Sequence, residues 1–339
     1  MRDASRSISS RARRRTVLIH LRDEAFIQKK MNDFSGTPSH MRASPRVRAS
    51  ARPSARASSR TVRASSTPTS SRAGPPPPSV VILPGLGNAS DDYIHLVDAL
   101  ARRGHATSVA SVKRIDWLRN AAGAATPAYW RGCLRPRPTV DWYLAACEEA
   151  TRDAKRTNPT ADVVLVAHSA GGWLARVFID EYASEESVRA IGGLVTLGSP
   201  MKPTPRDAPG VVDQTRGILT HVAERCRSAE ALREEVNIDV TCVAGTYARG
   251  TSAVTTVGDV GAFVAGFGYK QVCGRADVDG DGITPVETAL MDGATHIVLD
   301  GVYHTPLGAD DANGRSWYGS ESVLEAWADV ALGPARANI

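Results

Sequence analysis

Several things are missing from this chain, and each absence excludes something. No apolar run approaches the roughly 18–20 residues that a membrane-spanning helix needs, so any membrane contact has to be peripheral. The five cysteines, Cys133, Cys147, Cys226, Cys242 and Cys273, include no pair at the close spacing of a zinc site, and their number is odd. They read as reduced thiols of a reducing compartment. No Gly-x-Gly-x-x-Gly follows a strand pattern and no phosphate-binding loop is present, so no nucleotide cofactor is expected. Acidic residues are absent between Asp33 and Asp91.

That last gap divides the chain. Residues 1–78 hold 17 Lys and Arg against four Asp and Glu, a net of +13, and the remainder nets −8. The formal charge of +5 thus describes neither part. An acidic folded region gives no support to a nucleic-acid partner. The basic segment is dominated by Arg, Ser and Ala, with too few apolar residues to offset the entropy of ordering a backbone. Its composition is that of an organelle transit peptide and linker over 1–75. It resembles chloroplast transit peptides, with Val-Arg-Ala-Ser at 47–50 and again at 62–65. A plastid location is expected, with the mitochondrion as the alternative. The less typical 1–40 region leaves Met1, Met31 and Met41 as candidate starts.

From about residue 76 to 335, short β-branched runs alternate with helical periods. The runs are Ser79–Leu83, His105–Val112, Ala161–Ser169, Ala190–Pro200, Asp239–Tyr247 and Ala294–Val302. Such alternation predicts one α/β domain with a mostly parallel sheet covered by helices on both faces. Apolar residues continue without alternation at Val163–Val166, as suits a strand buried on both sides. A helix is expected within residues 209–226, and none in the glycine-rich stretch before Arg275. Residues 112–138, rich in Trp, Arg and Pro, are too long for an ordinary connection and read as a lid-like insertion. Its Trp117 and Trp130, with nearby Trp142, can line an acyl pocket, lie at a membrane interface, or pack as core.

The run Val163–Arg176 passes from an aliphatic strand through one serine into two glycines and a helix. That is the pattern of a nucleophile elbow, G-x-S-x-G, here Ala167-His168-Ser169-Ala170-Gly171. Small residues flank the serine because the turn is tight. Ala167 replaces the first glycine and keeps that steric logic. A serine hydroxyl needs a base, and the base needs an orienting carboxylate. On such elbows the order is Ser, then Asp or Glu, then His. His296 opens a strand pattern, whereas His304 follows that strand's exit, where sites on parallel sheets form. His304 is therefore the expected base. The carboxylate comes from Asp277, Asp279 or Asp281. Asp281, bracketed by glycines, stands first and Asp279 second. The same aspartates match the front half of a calcium-binding loop, but Thr288 and Pro285 break its back half, and no metal is expected.

Together "LPGLGN", "VAHSAGGW", "TLGSP", "GDGITPVE" and "GVYH" resemble the lipase and esterase branch of the α/β-hydrolase superfamily. The likeness extends in particular to plastid-targeted hydrolases of plants and algae. The resemblance implies an α/β-hydrolase fold, an oxyanion hole formed by the Leu86 and Ala170 amides, and no cofactor. It implies a small-molecule or lipid ester as substrate, with an acyltransferase or a catalytically silent binding protein on the same scaffold as alternatives. It leaves the oligomeric state open.

Overall fold

The computed structural model describes residues 76–310 and 314–333. The transit-peptide reading, the processing motifs and the candidate starts lie outside them.

Six strands form one wholly parallel sheet: β1 (Ser79–Leu83), β2 (Thr107–Val109), β3 (Val163–His168), β4 (Ile191–Leu197), β5 (Asp239–Thr246) and β6 (Thr295–Asp300). Their spatial order is β2-β1-β3-β4-β5-β6. The order reverses at β1, which pairs with β2 on one side and β3 on the other. At such a switch point the connections leave in opposite directions and open a crevice at the carboxyl ends of the strands. The helices that bear on the site are α1 (Ile94–Arg102), α2 (Asp141–Thr157), α3 (Ala170–Val177), α4 (Ile218–Arg225), α5 (Ala229–Val236), α6 (Val260–Cys273) and α7 (Glu321–Leu332).

The period of two along each strand builds two cores. Val81, Leu83, Val163, Leu165 and Ala167 face one layer, with Tyr143 and Leu144 of α2 and Leu174 and Val177 of α3. Val80, Ile82, Val164 and Val166 face the other, with Leu96 and Leu100 of α1 and Trp327 of α7. This is a three-layer α/β arrangement. At roughly 1.5–3 kcal/mol for each fully buried large apolar side chain, both layers contribute heavily to the gross stabilisation.

Three local expectations change. The helix expected within 209–226 is confined to Ile218–Arg225. Upstream of it, the Asp213 carboxylate accepts from the amides of Thr215 and Gly217, and such an Asx turn competes with helix formation. The glycine-rich stretch expected to lack a helix forms α6. One of its glycines serves close packing: a Cβ on Gly266 would strike the backbone of Thr251. The insertion winds through a 3-10 segment (Arg114–Ala125) and a short helix (Pro127–Trp130). Within it Trp117 is buried. It meets Trp142 edge-on with ring centroids 5.1 Å apart and donates to the carbonyl of Asn88 at 2.8 Å. Two of the three tryptophans are thus packing residues, and Trp130 alone is exposed, at 53%.

No helix among the described residues is long and apolar enough to cross a membrane.

Candidate active site

β3 runs straight into α3, and the turn between them carries Ser169 at φ 52°, ψ −125°. A positive φ is unfavourable for a non-glycine residue and persists only where the surroundings enforce it. Here the Ser169 amide donates to the Leu197 carbonyl at 2.9 Å, and its carbonyl accepts from Gly172 at 3.1 Å. The glycines behind it permit close approach. A Cβ on Gly171 would sit 2.6 Å from the Leu83 carbonyl oxygen, and one on Gly172 would collide with the Ser199 hydroxyl.

From Ser169 a hydrogen-bonded chain leads inward. Its Oγ lies 2.9 Å from Nε2 of His304. His304 Nδ1 lies 2.7 Å from Oδ2 of Asp281. A carboxylate can only accept, so Nδ1 carries the ring proton. Nε2 is then the acceptor facing the serine hydroxyl. Asp281 is 1% exposed, and both of its oxygens are occupied. Oδ1 accepts from the amides of Ile283 at 3.0 Å and Thr284 at 2.7 Å. Oδ2 accepts in addition from the Tyr318 hydroxyl at 2.7 Å. Four donors on one buried carboxylate stabilise its charge. The Tyr318 hydroxyl is held well above its ordinary pKa by burial, then by the charge of Asp281 and its hydrogen bond to that carboxylate. It therefore remains a donor.

The other candidates are elsewhere. Asp279 is exposed and pairs with Arg249 at 3.1 Å. Asp277 accepts from the Ser252 amide at 3.0 Å. The three aspartates face different partners, and among the described residues no group of three or more His, Cys, Asp or Glu is placed to hold a metal ion. His296 lies at the entry end of β6 with Nε2 2.7 Å from the Met291 carbonyl.

Leu86 and Ala170 border the serine. Ala170 is the first residue of α3, so its amide has no intrahelical acceptor, and the helix N-terminus supplies positive potential there. The loop carrying Leu86 crosses directly beside the elbow, since a Cβ on Gly85 would lie 2.8 Å from Cβ of Ser169. Two amides in these positions can stabilise an oxyanion.

Three residues that sequence reading set aside or passed over complete the arrangement: His168, Tyr93 and Tyr318. His168 is 1% exposed. Its Nε2 lies 2.8 Å from the His304 carbonyl oxygen, which can only accept, so Nε2 is protonated. Nδ1 then accepts from the Tyr93 hydroxyl at 2.8 Å, which in turn accepts from the Gly85 amide at 2.9 Å. One buried wire thus ties the loop beside Ser169 to the backbone of His304. The His304 amide is held as well, donating to the Asp281 carbonyl at 3.0 Å. Burial, with a smaller effect of His304, lowers the His168 pKa well below its usual value. The ring is neutral, as both of its hydrogen bonds require. The period of two could have indicated this role: His168 continues the face of Val164 and Val166, away from the serine.

No protein-family model matches the sequence, and no curated protein matches it. Among solved structures, a soluble variant of monoglyceride lipase from Saccharomyces cerevisiae is similar at 10% identity. The match covers 76% of this chain and 88% of that one, with a TM-score of 0.39. A thermostable carboxyl esterase from Bacillus coagulans matches at 12% identity over 70% of this chain and 85% of that one, with a TM-score of 0.36. A cutinase-like protein from Cryptococcus sp. matches at 10% identity over 77% and 98%, with a TM-score of 0.31. Likenesses this distant add nothing to what the chain's own sheet order establishes about the fold.

Proposed function

We propose that the protein is a serine hydrolase that cleaves carboxylic esters, with acyl lipids as the substrate class. The observation that carries this reading is the continuous chain Ser169–His304–Asp281, anchored on a backbone-strained serine at the carboxyl end of the sheet. Structural serines have no need of a histidine acceptor whose far side is held by a buried, four-donor carboxylate.

In the proposed reaction, His304 Nε2 takes the Ser169 proton as Oγ attacks the ester carbonyl carbon. The carbonyl oxygen becomes an oxyanion held by the Leu86 and Ala170 amides. His304, now cationic and steadied by Asp281, gives its proton to the departing alcohol oxygen as the C–O bond breaks. A water then repeats the sequence on the acyl-enzyme, releasing the acid and restoring Ser169. No cofactor is required. Under this reading the basic segment before residue 76 directs the protein to a plastid, and sequencing the mature N-terminus tests that assignment.

The decisive experiment is reaction with a labelled fluorophosphonate, beside Ser169→Ala and His304→Ala. The unmutated protein is expected to label and to release acid from short-chain esters, and both variants are expected to lose labelling. Retained ester hydrolysis in Ser169→Ala overturns the assignment. Labelling accompanied by acyl transfer to an alcohol in preference to water would favour an acyltransferase. A folded protein that never labels would favour a silent binding role.

A further inference from the structure

Fourteen large apolar side chains are exposed among the described residues, and eight of them lie in just two segments, the ones that leave the carboxyl ends of β2 and β5. Singly scattered apolar residues are normal on a soluble surface, but their concentration in two connections is not.

They form two flanks. The insertion after β2 exposes Ile115, Leu118 and Trp130 by 68%, 58% and 53%. On the other side, after β5, α6 exposes Phe263 and Phe267, an i, i+4 pair on one helix face, and the turn before it exposes Val257. The two flanks hang from strands four places apart in the sheet, with β3 and Ser169 between them. At about 4.8 Å per strand that separation is roughly 19 Å, and a broad, deformable surface can meet both.

Charge identifies that surface. Residues 113–137 hold six basic side chains and one acidic, a net of +5, in a region that otherwise nets −13 from residue 79 onward. Arg114, Arg119 and Arg137 are paired with Asp92, Asp116 and Asp141. Lys113, Arg131 and Arg135 are exposed, with no carboxylate partner among the described residues. Apolar tips interleaved with free cations are the chemistry of an anionic lipid–water interface, where apolar groups enter the acyl boundary and cations meet headgroup phosphates.

We propose that the carboxyl end of the sheet docks on an anionic lipid surface, the insertion through Ile115, Leu118, Trp130 and its free cations, and α6 through Phe263 and Phe267. The docking deepens the hydrolase reading and rests on it only in purpose: it brings an acyl ester to Ser169 without passage through water.

The test exploits the tryptophans. Trp130 is the one exposed tryptophan of the six in the chain. Full-length Ser169→Ala protein is mixed with phosphatidylglycerol vesicles whose acyl chains are brominated, and with brominated phosphatidylcholine vesicles as control. Bromine quenches only the rings that reach the acyl region. The expected result is quenching by the anionic vesicles that disappears in Trp130→Phe. Vesicle affinity should fall about tenfold or more in Ile115→Ser/Leu118→Ser and in Phe263→Ser/Phe267→Ser. It should fall roughly fivefold per charge removed in Lys113→Gln, Arg131→Gln and Arg135→Gln. Co-sedimentation with vesicles but no quenching would overturn the proposal, because the +13 segment before residue 79 would then account for binding. Self-association that vanishes in the serine variants, again without quenching, would overturn it in favour of an interface between copies. Hydrolysis of a soluble short-chain ester, measured on the same rim variants with Ser169 intact, is expected to be unchanged. Quenching without any such hydrolysis by the unmutated protein would sink the hydrolase reading and leave the docking standing.

Discussion

The interior of the site and its rim invert the usual partition of side chains. Inside, the polar groups Asp281, His304, His168 and Ser199 are buried, and each makes a hydrogen bond to a specific partner. At the rim, Ile115, Leu118, Trp130, Val257 and Phe267 stand in solvent. Buried polar groups are stable only when satisfied, and the interior meets that condition donor by donor. The exposed apolar groups leave much of their surface in water, although Trp130 meets Tyr129 edge-on and donates to the Ala124 carbonyl. Rigidity is therefore concentrated around Ser169 and His304, and exposed apolar surface in the connections outside them.

The largest expected effect lies on the interior side. Asp281→Asn keeps shape and most packing but removes the charge and the acceptor that fix the His304 tautomer. Ester turnover is expected to fall about 10⁴-fold, read as kcat with KM nearly unchanged. A loss below tenfold would show that Asp281 is a structural residue.

Tyr93→Phe comes next. The ring remains against His168 and Trp317, but the Gly85 amide loses its acceptor and His168 Nδ1 its donor. Leaving buried partners unsatisfied costs about 1–3 kcal/mol each. The melting temperature should fall by several degrees, at about 2–4 °C per kcal/mol for a domain of this size. Because the wire also positions His304, kcat should fall by about 10–100-fold. A thermal shift with unaltered kcat would confine the wire to stability.

A smaller effect is the pH dependence of folding. His168 has a pKa lowered well below its ordinary value by burial, then by His304, and His105 is lowered by burial, then by Arg103 against an opposing hydrogen bond to Pro78. Below about pH 6.5 the unfolded chain takes up protons that the folded chain refuses. Stability is complete above that pH and declines as pH falls, with a slope of up to about 1.4 kcal/mol per pH unit for each such histidine. Denaturant titrations at pH 7.5, 6.0 and 5.0 measure the slope, and His168→Asn should make it shallower, leaving the part that His105 contributes. A profile flat across that range would exclude the neutral, buried assignment.

The smallest effect belongs to the rim. Leu118→Ser should change unfolding free energy by less than about 0.5 kcal/mol, since the side chain is largely exposed. A larger destabilisation would mean that the rim holds the fold together and is not held in reserve.

Much of this architecture was legible in one dimension because its causes are local. Alternating β-branched and helical runs announced a parallel sheet. The sequence Ala-His-Ser-Ala-Gly-Gly is demanded by the elbow's own sterics. His304 could be separated from His296 by asking which end of a strand each occupies. Asp281 and Asp279 could be ranked but not separated by pattern, since both flank a glycine and neither has a period to read. The helix α6 was hidden because glycine is a poor helix former, and the reason for Gly266, the backbone of Thr251, lies fifteen positions away. Trp117 and Trp142 carried the same ambiguity, as an aromatic ring suits a core, a pocket or an interface equally well.

By itself, then, the sequence determined the layer order, the strand–turn–helix around Ser169, the chain order of Ser169, the candidate aspartates and His304, and the charge division between its two parts, because neighbouring residues and simple periods encode each of these. Only the tertiary structure decided which aspartate meets His304, and that Tyr93 and His168 wire the Gly85 loop to His304. Those are meetings of residues 8 to 136 positions apart, and they depend on where β1, β3 and the loops after β5 and β6 converge.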